Sequence, residues 1–299
     1  MRRGQAPQRV GVAVVTLNAL PWVERCLESV RGHPTVVVDH GSADGTLELV
    51  RERFPEATVV RQENRGLGAG WNAGLRATDT PYVLILNADA WVLDDAVERL
   101  VAFAEEHPRA AYIGPRLLNP DGSLQRSVRG FPTLWRLATE YFFLRKLAPR
   151  SRLLNAFYGG GFAHDRVREA EFLMGACMLV RRRAVEEVGP LDERFFLFSE
   201  ETDWCYRFRA AGWQVLFYPG AEVVHVGGAS HAGRLFREQV RGHLRFLAKH
   251  RGEREAERAR LLLRLALRLR GRVFGGARGA TYRDAAAWLG SGSAAELLR

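Results

Sequence analysis

The chain is poor in the residues that mark several common protein classes. Of its 299 residues only three are cysteines, Cys26, Cys177 and Cys205, far apart and odd in number. No CxxC pair or Cys/His cluster exists, which argues against a structural zinc site. Nothing reads as a disulfide framework, and that favours a reducing cytoplasm. Long apolar runs are also missing. The run from Val10 to Val15 follows Met1-Arg2-Arg3 but is too short for a signal peptide and lacks a cleavage pattern. The longest later run, 172–180, falls well short of the ~20 residues of a spanning helix, so no transmembrane segment is expected. No internal repeat is present. Glycine is absent from the first strand-helix turn, TLNALP, where a dinucleotide fingerprint needs it. Gly66, Gly68 and Gly70 come after the third strand and are spaced GxGxG, which excludes a Rossmann cofactor site. A flexible loop whose backbone approaches a nucleotide remains, and for Gly74 close helix packing is the plainer reading.

What is present is the composition of a globular protein, 47% hydrophobic and 26% charged. The net charge is +10 and unevenly placed. Residues 234–272 hold twelve Arg and one Lys against four Glu, so nearly all of the excess lies there. The basic character belongs to that segment, and specific nucleic-acid binding is not expected.

The first hundred residues alternate between apolar strands and helical spacing. Strands are expected at 10–16, 35–39, 57–61 and 82–87, and helices at 20–31, 44–54, 69–77 and 94–106. Ser42 or Asp44 is the expected cap of the second helix. This pattern predicts an α/β fold with a mostly parallel central sheet flanked by helices. Asn18, Asp39, Asn64 and Asn87 follow the strands and collect along one edge. Beyond 110 the rhythm changes. Asn119-Pro120-Asp121-Gly122 marks a hairpin, 132–147 reads as helical, and 155–170 with Gly159-Gly160-Gly161 reads as a mobile loop. A buried strand is expected at 172–181, a helix at 201–211 and strands at 213–217 and 222–225, with mostly helix after 231.

Four stretches carry chemistry. In YVLILNADA a buried strand ends in Asn87-Ala88-Asp89, and one carboxylate at such an edge suffices to hold a hard cation on a phosphate; alone, the triplet also reads as a turn. In VVVDHGSADGT, Asp39 either accepts from a base or ribose or shapes the turn, and its place beside Thr16 and Asn18 favours the ligand; Asp44 reads as a cap. In FFLFSEETDWCYR, Glu200, Glu201 and Asp203 stand at a helix start. The helix dipole explains one or two of them. The aromatic run before them points further, because apolar walls raise a carboxyl pKa and fit it to act as a base. In AEVVHVGGASH, His225 ends a strand before two glycines, and His231 is a weaker second candidate.

Seven segments in order, VAVVTLN, VVVDHGSADGT, ENRGLGAGWNAG, YVLILNADA, FLMGACMLVRR, LDERFFLFSEETDWCYR and VVHVGGAS, resemble family 2 glycosyltransferases of the GT-A fold, rhamnosyltransferase-like branch. The resemblance runs from Val10 to about Ser230. It implies a nucleoside-diphosphate sugar donor, a divalent cation (Mg²⁺ or Mn²⁺) and inversion at the anomeric carbon. By the same resemblance Thr16, Asn18 and Asp39 border the nucleoside, and Asn64, Gly66 and Asn72 line the donor site. Asn87 and Asp89 occupy the outer places of the family's DxD motif, with Asp89 the metal ligand, and His225 completes the metal shell. The family's Glu-Asp pair falls on Glu200-Glu201, so Glu201 matches the catalytic base. Asn87 and Glu201 each replace an Asp, and Glu200 stays an alternative base. The acceptor is expected to be a cell-surface glycan precursor or a lipid-linked molecule.

These readings divide the chain into a catalytic unit, 1–230, with a nucleotide half at 8–110 and an acceptor half at 111–230, and a basic helical extension, 231–299. Within the extension Arg260, Arg264, Arg268 and Arg272 step by four, with Leu261, Leu262, Leu265 and Leu269 on a separate face. That describes either a helix lying on an anionic membrane, which would make a cytoplasmic protein peripheral at the inner face, or an ordinary packed helix or oligomer contact. Two other functions compete. A nucleotidyltransferase wants a basic, Gly-rich loop near the start, which VVTLNALP does not offer. A non-catalytic sugar-nucleotide-binding protein is conceivable from Asn87, but Glu200-Glu201 and His225 argue against it.

Overall fold

The computed structural model describes residues 9–227 and 234–299. His231 and the end of the VVHVGGAS segment lie outside the described residues. The first half alternates as expected: β1 (Val10–Thr16), α1 (Leu20–Glu28), β2 (Thr35–Asp39), α2 (Thr46–Arg53), β3 (Thr58–Arg61), α3 (Leu67–Ala77) and β4 (Tyr82–Asn87). There follow β5 (Ala90–Val92), α4 (Ala96–Glu106) and β6 (Ala110–Leu118), which turns at Asn119–Gly122 into β7 (Leu124–Gln125). Next come β8 (Val128–Arg129), α5 (Leu134–Tyr141), β9 (Arg168–Glu169), β10 (Phe172–Leu173), β11 (Cys177–Arg181), α6 (Arg182–Val188), α7 (Glu200–Ala210) and β12 (Gln214–His225). The C-terminal helices are α8 (Arg234–Arg251), α9 (Glu253–Val273), α10 (Gly276–Trp288) and α11 (Ala294–Leu298).

The main sheet runs in the order β3-β2-β1-β4-β11-β6-β12-β5. β1 is buried along its length and β4 up to Asn87, as helix-covered parallel strands must be. Alternate side chains feed two layers. Val12 and Val14 pack with Val23 of α1, Val50 of α2 and Leu100 of α4. Ala13 and Val15 pack with Trp71 of α3, Ala184 of α6 and Trp204 of α7. β11 is antiparallel to both β4 and β6, so β4 and β6 point the same way, and β12 is parallel to β6. Chain direction therefore delivers the ends of β1, β2, β4 and β12 to one edge.

Three expectations are corrected. The strand expected at 172–181 is broken at Gly175: β10 pairs with β8 in a separate small sheet, and β11 joins the main one. A Cβ at Gly175 would lie 2.9 Å from the Trp71 ring and 3.5 Å from Glu201 Cγ, so the chain leaves strand geometry where only glycine fits. The two strands expected after 212 are one, β12, with a register shift between Tyr218 and Glu222. The cap of α2 is Gly45, in the left-handed region at φ 93°. Asp44 instead accepts from the backbone N–H groups of Thr46 and Leu20, both at 3.0 Å, and so ties α2 to α1.

The C-terminal helices share a third core with α5 and Phe195. Along α9 the buried side is Ala259, Leu263, Ala266 and Leu267, but it also includes Arg260 and Arg270, so the basic residues do not share one solvent face. Arg260 pairs with Glu257, and Arg270 donates to the carbonyls of Tyr141 and Glu140. Leu261, Leu265 and Leu269 are exposed. No described helix is long and apolar enough to cross a membrane.

Candidate active site

The parallel register sets Thr16 opposite Asp39 and Val15 opposite Asn87 at the shared edge. β5 then folds back and pairs antiparallel with β12, with Ala90 opposite His225. That pairing puts His225 beside Asp89, with Nε2 3.4 Å from Oδ1. Gln125 fixes the ring from behind. Its Nε2 donates to the His225 carbonyl at 3.2 Å and to Asn119 Oδ1 at 2.9 Å, so its Oε1, 2.7 Å from His225 Nδ1, accepts. The Nδ1 position therefore carries the hydrogen, and Nε2 turns its lone pair toward Asp89. Two acceptors facing each other need a cation between them, either a proton or a metal. Burial raises the Asp89 carboxyl, but with a proton on His225 Nε2 the hydrogen bond and charge of the ring outweigh it and hold the group below the ordinary carboxylate value. Asn87 Oδ1 is buried without a hydrogen-bond partner among the described residues. No three His, Cys, Asp or Glu side chains among them form a complete metal cage. One carboxylate, one imidazole and one amide oxygen fit a hard divalent ion whose remaining ligands come from phosphate and water.

The other candidates at this edge divide into open and committed groups. Thr16 Oγ1 is buried and unpartnered among the described residues. Asn18, at φ 52°, accepts from the Ala43 N–H and gives its own N–H to Ser42 Oγ. Asp39 is fully buried, and its carboxylate accepts from the N–H groups of Gly41 and Ser42 at 3.1–3.2 Å, with Arg61 3.6 Å away. The turn-shaping reading thus describes its contacts. Asn64 Oδ1 accepts from the Gly66 N–H. A Cβ on Gly66 would sit 2.4 Å from the Phe196 carbonyl, so glycine is what lets this loop close against the segment leading to α7. Asn72 donates to the Leu191 carbonyl and Glu193 and accepts from the Leu191 N–H. Its amide braces that segment, with both N–H groups donated and the oxygen accepting once.

Glu200 and Glu201 open α7 after two consecutive left-handed residues, Phe198 at φ 67° and Ser199 at φ 72°. Such strain at non-glycine positions persists where packing enforces it. Here α8 presses on the turn, because a Cβ at Gly242 would lie 2.7 Å from Ser199 Oγ. Glu200 is 2% exposed and Glu201 half-buried, and each has one carboxyl oxygen without a partner among the described residues. Burial first, and then the neighbouring Glu201, push the Glu200 carboxyl well above its ordinary value. Burial raises Glu201 to about 7, against a smaller opposing pull from its backbone hydrogen bonds and Arg129. Asp203 has a different role. It is fully buried and bound to Arg207, Lys249 and His250, which pins α8 to α7. The chain links the acids to the metal-fitting edge directly: Gly175 lies against Glu201, and the next residue, Ala176, accepts from the Asn87 N–H at 3.0 Å. Gln125 and Gly175 were not singled out from sequence. Gln125 acts through a hairpin whose pairing partner lies a hundred residues on, and the only signal was the turn before it.

A family model, Glycosyl transferase family 2, matches residues 11–189. The chain is 32% identical over 235 residues to an N-acetylglucosaminyl-diphospho-decaprenol L-rhamnosyltransferase of Mycobacterium tuberculosis, covering 72% of this chain and 75% of that protein. Two solved structures share the fold at low identity. GalNAc-T7 with UDP, GalNAc and Mn²⁺ has a TM-score of 0.60 at 15% identity, over 94% of this chain and 54% of that one. The mannosyltransferase PcManGT from Pyrobaculum calidifontis, with GDP-Man and Mn²⁺, has a TM-score of 0.56 at 18% identity, over 97% and 78%.

Asp89→Ala is expected to abolish Mn²⁺ binding measured by calorimetry in the presence of a nucleoside diphosphate. Gln125→Leu, which frees the imidazole to change tautomer, should weaken it by about tenfold. Unchanged affinity in both variants would remove the metal site from this edge.

Proposed function

The chain belongs to glycosyl transferase family 2, a family of glycosyltransferases acting on nucleotide-sugar donors, and from that premise we propose the following reaction. The enzyme transfers a sugar, L-rhamnose, from a nucleoside diphosphate to a hydroxyl of a lipid-linked glycan precursor, with inversion and with help from a divalent cation. The observation that carries the catalytic part is the pair of adjacent carboxyl groups, each with one buried, unpartnered oxygen among the described residues, one residue's contact away from Asn87. The sugar and acceptor follow the rhamnosyltransferase relative, and the cation follows the Mn²⁺ in the two solved structures.

In this reading Asp89 and His225 would hold the cation, with the unpartnered Asn87 Oδ1 as a further candidate ligand. When bound, the ion offsets charge that develops on the leaving diphosphate. Thr16 and the Asp39 turn border the nucleoside, and the Gly66 loop closes over it. Glu200, more deeply buried, holds its proton more strongly than an ordinary carboxyl. Glu201 takes the proton of the acceptor hydroxyl as that oxygen attacks the anomeric carbon from the side opposite the diphosphate. The extra methylene of Glu over Asp is taken up by the glycine at 175, which leaves room beside Glu201 Cγ.

The membrane side of the proposal rests on α9. Leu261, Leu265, Leu269 and Val273 are 52%, 55%, 42% and 77% exposed, an unusual run for one helix. The helical period brings the exposed Arg254, Arg258, Arg268 and Arg272 to the same side. Of these, Arg254, Arg268 and Arg272 have no ion pair among the described residues. Leucines among unpaired arginines complement an anionic lipid surface, where each cation contributes about 1 kcal/mol. A cytoplasmic enzyme docked at the inner face by α9 would meet a lipid-linked acceptor there.

Glu201→Gln should reduce transfer by about 10²-fold or more while leaving donor binding intact. Because the base must be ionised and its carboxyl is raised to about 7, kcat/KM should climb with pH and level off above about 7. Full transfer in the variant, or a profile flat from pH 5 to 8, refutes the base. For the membrane face, the full chain should sediment with phosphatidylglycerol vesicles and not with phosphatidylcholine vesicles. The doubly substituted Leu265→Glu, Leu269→Glu protein should stay in solution; equal sedimentation of both proteins sinks the docking face.

A further inference from the structure

A second polar site lies apart from the metal-fitting edge. β8, β9 and the glycine-containing segment between α5 and β9 enclose a cavity of about 550 Å³ lined by Arg129, Arg136, Arg152, Arg166, Arg168 and Arg209. The only carboxylates in its lining are Glu169 and Glu171. Both are already used, Glu171 by Arg136 in a two-point pair at 2.6 Å and Glu169 by Arg209. Arg166 reaches Asp165 on the outside at 3.2 Å. The side chains of Arg129 and Arg152 make no hydrogen bond or ion pair among the described residues, although the charges of Glu140 and Glu201 act on Arg129. Arg129 lies over the Tyr158 ring at 4.2 Å, and Arg168 donates to the Gly159 carbonyl and lies over Phe162 at 4.6 Å.

Packing cations together in this way is unfavourable without an anion. Burial does most to hold the Arg168 guanidinium below its ordinary value, and the neighbouring Arg152 and Arg166 add to it. Gly159, Gly160 and Gly161 are all left-handed, at φ 77°, 60° and 79°. A Cβ on Gly160 would sit 3.0 Å from Arg152 Cα, so the loop curls tightly over the strand of chain that carries Arg152. Arginine's planar fork matches phosphate oxygens two at a time. Arg129 also joins this cavity to the catalytic acids, since its charge acts on Glu201.

We infer that the arginine cavity is the seat of a diphosphate group on the acceptor, separate from the donor diphosphate at Asp89 and His225. This rests on the proposed transfer to a lipid-linked precursor, and it adds which group of that precursor is recognised and where. Arg129, Arg152 and Arg168 bind the diphosphate oxygens. The acceptor sugar then extends from Arg129 toward Glu201, and its prenyl chain leaves through the exposed side near Arg152 and Val167. A soluble sugar diphosphate presents the same chemistry, so the test separates the two sources.

The test is calorimetry on the full chain in excess chelator, which keeps the metal-dependent donor site out of the measurement. The probes are inorganic pyrophosphate and farnesyl diphosphate. Both should bind the native protein, and farnesyl diphosphate more tightly if the natural ligand is lipid-linked; equal affinity assigns the cavity to a soluble diphosphate. Arg129→Gln with Arg168→Gln should weaken both probes by about tenfold or more. Arg152→Gln, at an exposed position that the fold does not need, should weaken them too, so a misfolded double variant does not rescue the idea. Donor binding in Mn²⁺ should be unaltered in the Arg152 variant. No binding without metal, or equal binding by native and Arg152→Gln proteins, overturns the cavity assignment. If diphosphate binds as described but no rhamnosyl transfer occurs, the reaction proposed above fails and the cavity stands.

Discussion

Ala90 of β5 lies opposite His225 of β12, and the rest of the site depends on that one antiparallel pairing. Without it Asp89 would be a lone carboxylate at the end of β4. With it, a residue 136 positions away arrives 3.4 Å from the carboxylate, held from behind by Gln125. The pairing is possible because β4, β6 and β12 share a direction and β11 is inserted between β4 and β6 the other way. Sheet topology is thus the cause, and a polarised, metal-fitting edge is its consequence.

A second joint brings the acids to that edge. The Gly66 loop touches the Phe196 backbone, Asn72 clamps Leu191, and Gly175 sits between Trp71 and Glu201. None of these contacts tolerates a larger side chain or a missing amide without moving α7. From the far side α8 holds α7 through Asp203, Lys249 and His250, and presses on the left-handed turn at Ser199. Two carboxyl groups are kept adjacent by this double support, Glu200 buried and Glu201 half-buried. Burial raises both proton affinities, most strongly that of the more deeply buried Glu200.

Much of this was legible in the sequence, and the parts that were not share a cause. The strand-helix alternation, the carboxylate after β4, the histidine ending β12 and the acids opening α7 all rest on local pattern, and the structure brings those residues to one region. Asp39 and Asn72 show the limit. Their residue types fit a ligand, and they also accept hydrogen bonds from Gly41, Ser42 and Leu191, contacts that only three-dimensional neighbours reveal. The break at Gly175 was hidden inside an apolar run that reads as one strand. The arginine cavity was hidden more fully, since its members come from β8, α5, the 150–170 segment and α7, and a helix-period or strand-period pattern carries no trace of their convergence. In α9 the four-residue spacing was visible, but which arginines are buried depends on α5 and α10.

The central claim is that Asp89 and His225 together hold a divalent cation on the donor diphosphate. Pulsed electron paramagnetic resonance of the Mn²⁺ complex with a nucleoside diphosphate tests it most directly. Nitrogen modulation from one imidazole is expected together with phosphorus coupling, the nitrogen signal disappearing in His225→Ala while the phosphorus coupling remains. Phosphorus coupling with no imidazole nitrogen in the native protein would contradict it.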